Sequence, residues 1–262
     1  MSSILINLLD NLGDRTTLLN LMSTSKDIAT RLDRVPDGTV FTYTDFLEEV
    51  QQKEALIKAL NRMAAAGKIA KLSKGKFYKP EQSPFGELPP PQYQAVKDLL
   101  KTRGKVTGYL SGLSIYPQLG LTTQVSNTIQ IGKNETRPAF QRGRYNISFI
   151  KQKNTITKEN IPGLQLLDAM RCVKKIPDTT VSMACERFKD LISQNSRKEQ
   201  ERLVNLAMKY PPSTRALLGA VLDAVAPELN TEKLKQSLNP ITRYTLPGIT
   251  EALLHSQDWN IE

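Results

Sequence analysis

Eight cationic side chains fall between Lys53 and Lys79: Lys53, Lys58, Arg62, Lys68, Lys71, Lys74, Lys76 and Lys79, against one acid, Glu54. A net charge of +7 in 27 residues is suited to phosphate neutralisation, because each amine that meets a phosphate releases condensed counterions. Asn61 and Arg62 lie among these cations and carry the donor and acceptor patterns that pair with adenine and guanine edges. Lysines are flexible point charges that add affinity without reading sequence. The residues thus expected to contact double-stranded DNA are Lys53, Lys58, Asn61, Arg62, Lys68, Lys71, Lys74, Lys76 and Lys79. The competing reading is that a lysine-rich hairpin only guards an exposed strand edge. Phe77 and Tyr78 have the chemistry to stack on single-stranded bases, yet on so short a strand one of them must face the core.

Signatures of catalysis are missing. The sequence has no G-x-x-x-x-G-K-[ST], G-x-S-x-G or H-E-x-x-H pattern and no paired-cysteine motif. Gly132-Lys133-Asn134-Glu135 reads as a plain turn, and Asp168, Asp178, Glu186 and Asp190 read as acids on solvated helix faces. His255, Ser256 and Asp258 are too close in sequence to converge as a triad. Cys172 and Cys185, the two cysteines, read as reduced core residues. These observations predict a protein that is not an enzyme and needs neither metal nor cofactor.

The cationic stretch needs a scaffold, and the surrounding pattern predicts one. Thr24 can cap a helix with apolar positions Ile28, Leu32 and Val35, which Pro36-Asp37-Gly38 then stops. Val40 and Phe41 form a short extended piece, and Thr42-x-x-Asp45 opens a second, short helix. A third helix follows from about Gln52 to Ala66, with Leu56, Leu60 and Met63 on one side and Glu54, Lys58, Asn61, Arg62 and Ala65 on the other. Lys68–Leu72 and Lys76–Lys79 then pair through Ser73-Lys74-Gly75. That order is a winged helix-turn-helix, whose third helix and wing meet the major groove and neighbouring backbone.

Four segments follow from this reading: a helical extension over 1–23, the winged helix over 24–82, a proline-rich linker over 83–91, and an α+β domain over 92–262. Leu5, Leu8, Leu9 and Leu12 make the extension an amphipathic helix that packs on the main domain or serves a homodimer. In the last segment a helix is predicted around Tyr93 to Lys101, half-buried strands at Thr128–Ile131 and Tyr145–Ile150, and a helical layer from Glu159 onward. The helices there carry Leu164, Leu167, Met170 and Val173, then Leu203, Leu206 and Ala207, then Leu217, Val221 and Val225 with Ser213 as cap. Residues 83–150 hold eight basic residues against three acids, a net of +5 that could extend the DNA-contacting surface or face solvent. The fold class is therefore α+β and mainly helical.

The whole chain, 262 residues with a formal charge of +10 and a pI near 9.5, has the composition of a soluble globular protein with a polyanionic partner. Its apolar runs are too short to cross a bilayer, and Asp10 and Asp14 stand where a secretory signal would be apolar. A cytoplasmic location is expected, with no membrane partner.

The sequence resembles the abortive-infection type IV antitoxins, the AbiEi-like transcriptional regulators. The resemblance rests on Pro36-Asp37-Gly38-Thr39-Val40-Phe41-Thr42, on Ala59-Leu60-Asn61-Arg62-Met63 leading into Gly67-Lys68-Ile69, and on Lys74-Gly75-Lys76-Phe77-Tyr78-Lys79-Pro80. It continues through Gly108-Tyr109-Leu110-Ser111-Gly112-Leu113, Leu119-Gly120-Leu121-Thr122-Thr123-Gln124-Val125, Lys209-Tyr210-Pro211-Pro212 and Arg215-Ala216-Leu217-Leu218-Gly219. It implies a bacterial repressor that binds inverted repeats in its own promoter and counteracts a nucleotidyltransferase toxin without forming a stable complex with it. The alternatives from other classes are a protein-interaction module with a solvated basic wing and an enzyme that processes nucleic acid.

Overall fold

The computed structural model describes residues 28–46 and 53–262. The predicted extension over 1–23, the Thr24 cap and the continuation of the second helix past Phe46 lie outside the described residues. The chain divides into two compact units, one ending at Val96 and the other spanning Lys97–Glu262.

In the first unit, helix α1 (residues 28–34) places Ile28 and Leu32 in a core, as the 3.6-residue period requires. Strand β1 (Val40–Thr42) leads into a 3-10 turn, Tyr43–Phe46. The turn is held at its entry by Asp45, whose Oδ2 accepts the Thr42 backbone N–H at 2.7 Å and the Thr42 hydroxyl at 3.1 Å. Helix α2 (Lys53–Ala65) follows, then β2 (Ala70–Ser73) and β3 (Lys76–Tyr78). The three strands form an antiparallel sheet in the order β1-β3-β2. Gly75 supplies a φ of +72° in the β2–β3 turn, a value that side chains with a Cβ rarely adopt.

Residues 83–91, expected as a proline-rich linker, take part in a hairpin of β4 (Glu81–Ser83) and β5 (Gly86–Leu88). The hairpin is possible because Pro84 sits in the turn, where its missing N–H costs no ladder bond. The division between the units falls after Val96, inside helix α3 (Gln92–Leu100), and not at 91.

The second unit is α+β. After the short hairpin β6 (Lys101–Thr102) and β7 (Lys105–Val106), strands β8 (Gly108–Ser111), β9 (Thr128–Lys133), β10 (Phe140–Arg142) and β11 (Tyr145–Lys151) build one sheet. Its order is β10-β11-β9-β8, with β9 and β11 parallel and the outer pairs antiparallel. Gly132-Lys133, expected in a turn, continue β9 to its end. Gly132 is needed there because a Cβ would stand 2.3 Å from the Tyr109 ring.

Helices α4 (Ile161–Arg171), α5 (Val181–Ser193), α6 (Arg197–Ala207) and α7 (Pro212–Val225) form the helical layer, followed by α8 (Glu232–Gln236) and α9 (Ile249–Ala252). Ser213, expected as a cap, lies inside the first turn of α7, because Pro211 precedes the helix and Pro212 starts it. Leu164, Leu167, Phe188, Leu203, Leu217 and Val221 bury in a shared core. Trp259 closes that core and donates its indole N–H to Asp223 Oδ2 at 2.7 Å.

Candidate nucleic-acid interface

Helix α2 is amphipathic because Leu56, Ala59, Leu60 and Met63 recur at helical spacing and pack with Ile28, Leu32, Phe41, Phe46, Ile69 and Phe77. Burying that side fixes the other, so Lys53, Lys58, Asn61 and Arg62 are all exposed. Lys53 Nζ lies 5.1 Å from the centre of the Tyr43 ring, a cation–π contact within the unit. Asn61 donates its side-chain amide to the Ile57 carbonyl at 2.9 Å, so a base edge would have to displace that bond.

On the β2–β3 hairpin and its approach, Lys68, Lys71 and Lys74 are exposed and Lys76 is half-buried. Phe77 is buried at 3% exposure and stacks at 6.4 Å on Phe41, while Tyr78 is half-buried. Phe77 is therefore a core residue. Lys79 is held within the unit. Its ammonium donates to the Val35 carbonyl at 3.1 Å and lies 3.2 Å from Asp37 Oδ1, tying the end of β3 to the turn after α1. Lys79→Ala is expected to cost about 1 kcal/mol of stability, since a charged donor bond and a partly exposed ion pair are lost together. Urea unfolding measures this.

The basic excess of residues 83–150 is also partly committed. Arg142, 7% exposed, makes a two-pronged contact with the Asp98 carboxylate at 2.6 and 3.1 Å. The Arg137 guanidinium lies 4.6 Å from the Phe140 ring and 5.2 Å from that of Phe149, over two rings stacked 6.2 Å apart.

Asp168 departs most from its expected place on a solvated helix face. It is 4% exposed, and three hydroxyls donate to its carboxylate: Tyr109 and Ser111 to Oδ2, both at 2.7 Å, and Tyr210 to Oδ1 at 2.8 Å. Gln152 donates to both phenol oxygens, at 2.9 and 2.8 Å, and its own Oε1 accepts the Asn154 backbone N–H at 2.7 Å. The group fastens β8, α4, the end of β11 and the turn after α6 to one another. Burial pushes the Asp168 carboxyl above its ordinary range against the opposing effect of the hydroxyl donors. Burial first, then the neighbouring carboxylate, raises both phenols, which keeps them protonated donors. The sequence signal for this group was the position of Asp168 beside Leu164 and Leu167 on the apolar side of α4, and a lone acid at such a position is invisible to motif searches.

Glu186 and Asp190 do lie on an exposed helix face, bridged to Lys189 at 2.8 Å and to Arg187 at 3.7 Å, whereas Asp178 sits in an exposed turn before α5 with a φ of +54° and not on a helix. Exposed His255 and Asp258 stand 4.0 Å apart, while Ser256 is fully buried. Cys185 is buried, which raises its thiol to about 12, and Cys172 is half-buried. Among the described residues no three His, Cys, Asp or Glu side chains gather where a metal ion would sit. No helix of the described residues is long and apolar enough to cross a membrane.

A family model described as a family of unknown function (DUF6088) matches residues 27–204. The crystal structure of RV2827C protein from Mycobacterium tuberculosis is similar in fold, with a TM-score of 0.55 and 15% identity over 85% of this chain and 84% of that one. No curated protein matches the sequence.

Proposed function

The chain belongs to the DUF6088 family, and we propose that it is a cytoplasmic, non-enzymatic regulator that binds double-stranded DNA through a winged helix-turn-helix in its first unit. The observation that carries this reading is the sidedness of α2, whose apolar side is sealed in the core while Lys58, Asn61 and Arg62 stand exposed. A major groove admits an α-helix and is read by such side chains. The strand order β1-β3-β2 around α2, with exposed Lys71 and Lys74 on the hairpin, supports the winged form. The resemblance to AbiEi-like antitoxins extends the proposal to repression of its own promoter at inverted repeats and to opposition of a nucleotidyltransferase toxin.

Gel shifts with the DNA upstream of the gene, a scrambled control and a salt series test the reading. Specific binding that falls steeply with salt is expected, since phosphate contacts release counterions. Arg62→Ala is expected to cost about 1–3 kcal/mol of affinity and to relax preference at one base position. Equal loss on the scrambled duplex would remove Arg62 from readout. Co-expression with the product of the neighbouring gene tests the antitoxin half, which fails if growth is not restored.

A further inference from the structure

We propose that the second unit carries a site for a phosphorylated nucleotide, in two adjoining clefts that meet at Arg171. The first cleft, about 340 Å³, has Lys151, Lys153, Arg171 and Lys209 on its walls, with Gln152 and Tyr210 of the buried network beside them. The second, about 360 Å³, shares Arg171 and adds Lys174, Lys175 and Arg243. Each volume suits a small ligand of nucleotide size.

Among the described residues lining the two clefts there is no acid; the carboxyl that acts on Arg171 is that of Asp168, one turn earlier on α4, buried beneath the cleft and held by hydroxyl donors. Lys209 donates to the Lys153 carbonyl at 3.3 Å and Arg243 to Asn260 Oδ1 at 2.6 Å, both neutral acceptors that leave the charge in place. The negative end of the α4 dipole accounts for Arg171, Lys174 and Lys175, which follow one another at its C-terminus. It does not account for Lys151, Lys153, Lys209 and Arg243, which reach the clefts from the end of β11, the turn after α6 and the segment before α9. Like charges drawn together from separate elements repel unless an anion neutralises them.

The start of α7 adds to this field. Pro211 and Pro212 line the first cleft and Ser213 the second, so the positive end of a 14-residue helix stands at their junction. The two clefts differ in their remaining walls. The second is lined by half-buried Tyr244 beside Val173, Leu217 and Leu246, which are at most 5% exposed, so Tyr244 is the aromatic residue there on which a base would pack. Phosphates are therefore assigned to the first cleft and the nucleoside to the second. Both are concave, whereas reading a duplex groove requires an element that projects. The proposal does not rest on the winged-helix reading, because its residues all lie in the other unit.

Calorimetric titration of the full chain with ATP, GTP and inorganic triphosphate at about 0.15 M salt tests it. Saturable binding is expected, tighter for the nucleotides than for inorganic triphosphate. Arg171→Ala should weaken all three by about tenfold or more, because a two-pronged guanidinium–phosphate contact is lost. Arg171→Lys should recover part of that loss, Lys209→Ala should weaken phosphate binding independently, and Tyr244→Ala should abolish only the preference for nucleotides. Thermal melting that matches the parent protein shows each variant folded. The site is overturned if none of the three ligands binds, if Arg171→Ala and Lys209→Ala both bind normally, or if only a duplex of about 20 base pairs responds to these substitutions. Equal affinity for inorganic triphosphate and nucleotides overturns the nucleoside assignment.

Discussion

The combined variant Lys58→Ala, Lys71→Ala and Lys74→Ala should bind upstream duplex DNA about 100- to 1000-fold more weakly than the parent chain. Each substitution removes an exposed ammonium from α2 or the hairpin, and a hydrogen bond to a charged group contributes about 1.5–3 kcal/mol before neighbouring contacts compensate. The loss should be shared by specific and scrambled duplexes, since phosphate contacts carry no sequence information. The slope of log affinity against log salt should fall by about three, one counterion equivalent per lost contact. Stability should change by less than about 0.5 kcal/mol, because no packed or paired group is removed. Fluorescence anisotropy over a salt series reads all three quantities. An unchanged slope would mean that these lysines are solvated surface and that the duplex, if bound, is held elsewhere.

Asp168→Leu is expected to destabilise the second unit by about 3–5 kcal/mol, a drop of roughly 10 °C or more in melting temperature for a unit of this size. Leucine keeps the branched shape but is bulkier and offers no acceptor to Tyr109, Ser111 and Tyr210, whose hydroxyls point at the lost carboxylate. A buried donor without an acceptor keeps its full desolvation cost. Asp168→Asn should cost less, since the amide retains one acceptor oxygen.

The two variants also fix the sign of a pH effect. Burial raises the Asp168 carboxyl above its reference value of 3.8, so the folded chain holds this proton more tightly than the unfolded chain does. Its stabilising contribution is complete below 3.8 and declines as pH rises through the folded value, beyond which it stays low. Tyr109 and Tyr210 do not titrate in that window, and the charge of nearby Arg171 opposes the rise. Subtracting the Asp168→Asn curve from that of the parent should isolate the decline. A parent chain that instead gains stability over the Asn variant as pH rises would show that the hydroxyl donors outweigh burial.

Local pattern was enough for much of the first unit. The third helix was expected from about Gln52 to Ala66 and runs Lys53–Ala65, because a single amphipathic period fixes both its length and its buried side. The hairpin around Gly75 was legible for the same reason, and so were the strands expected at 128–131 and 145–150, which run on to Lys133 and Lys151, as turn chemistry and alternation are written in neighbouring residues. The hairpin in the proline-rich stretch was not legible, because prolines in a turn and prolines in extended chain look alike until the flanking strands are seen to pair.

Two properties are therefore set by the chain read in order: the density of positive charge between Lys53 and Lys79, and the periods that make helices and strands of its segments. Tertiary structure alone decided which charged groups are spoken for, diverting Lys79 to Val35 and Asp37, Arg142 to Asp98, and Asp168 into the interior. It alone also gathered Lys151, Arg171 and Lys209 around one cleft. The physical reason is range. Propensity and periodicity act over a few residues, whereas desolvation and Coulomb interaction depend on distances that only the folded chain creates between residues 20 to 60 positions apart.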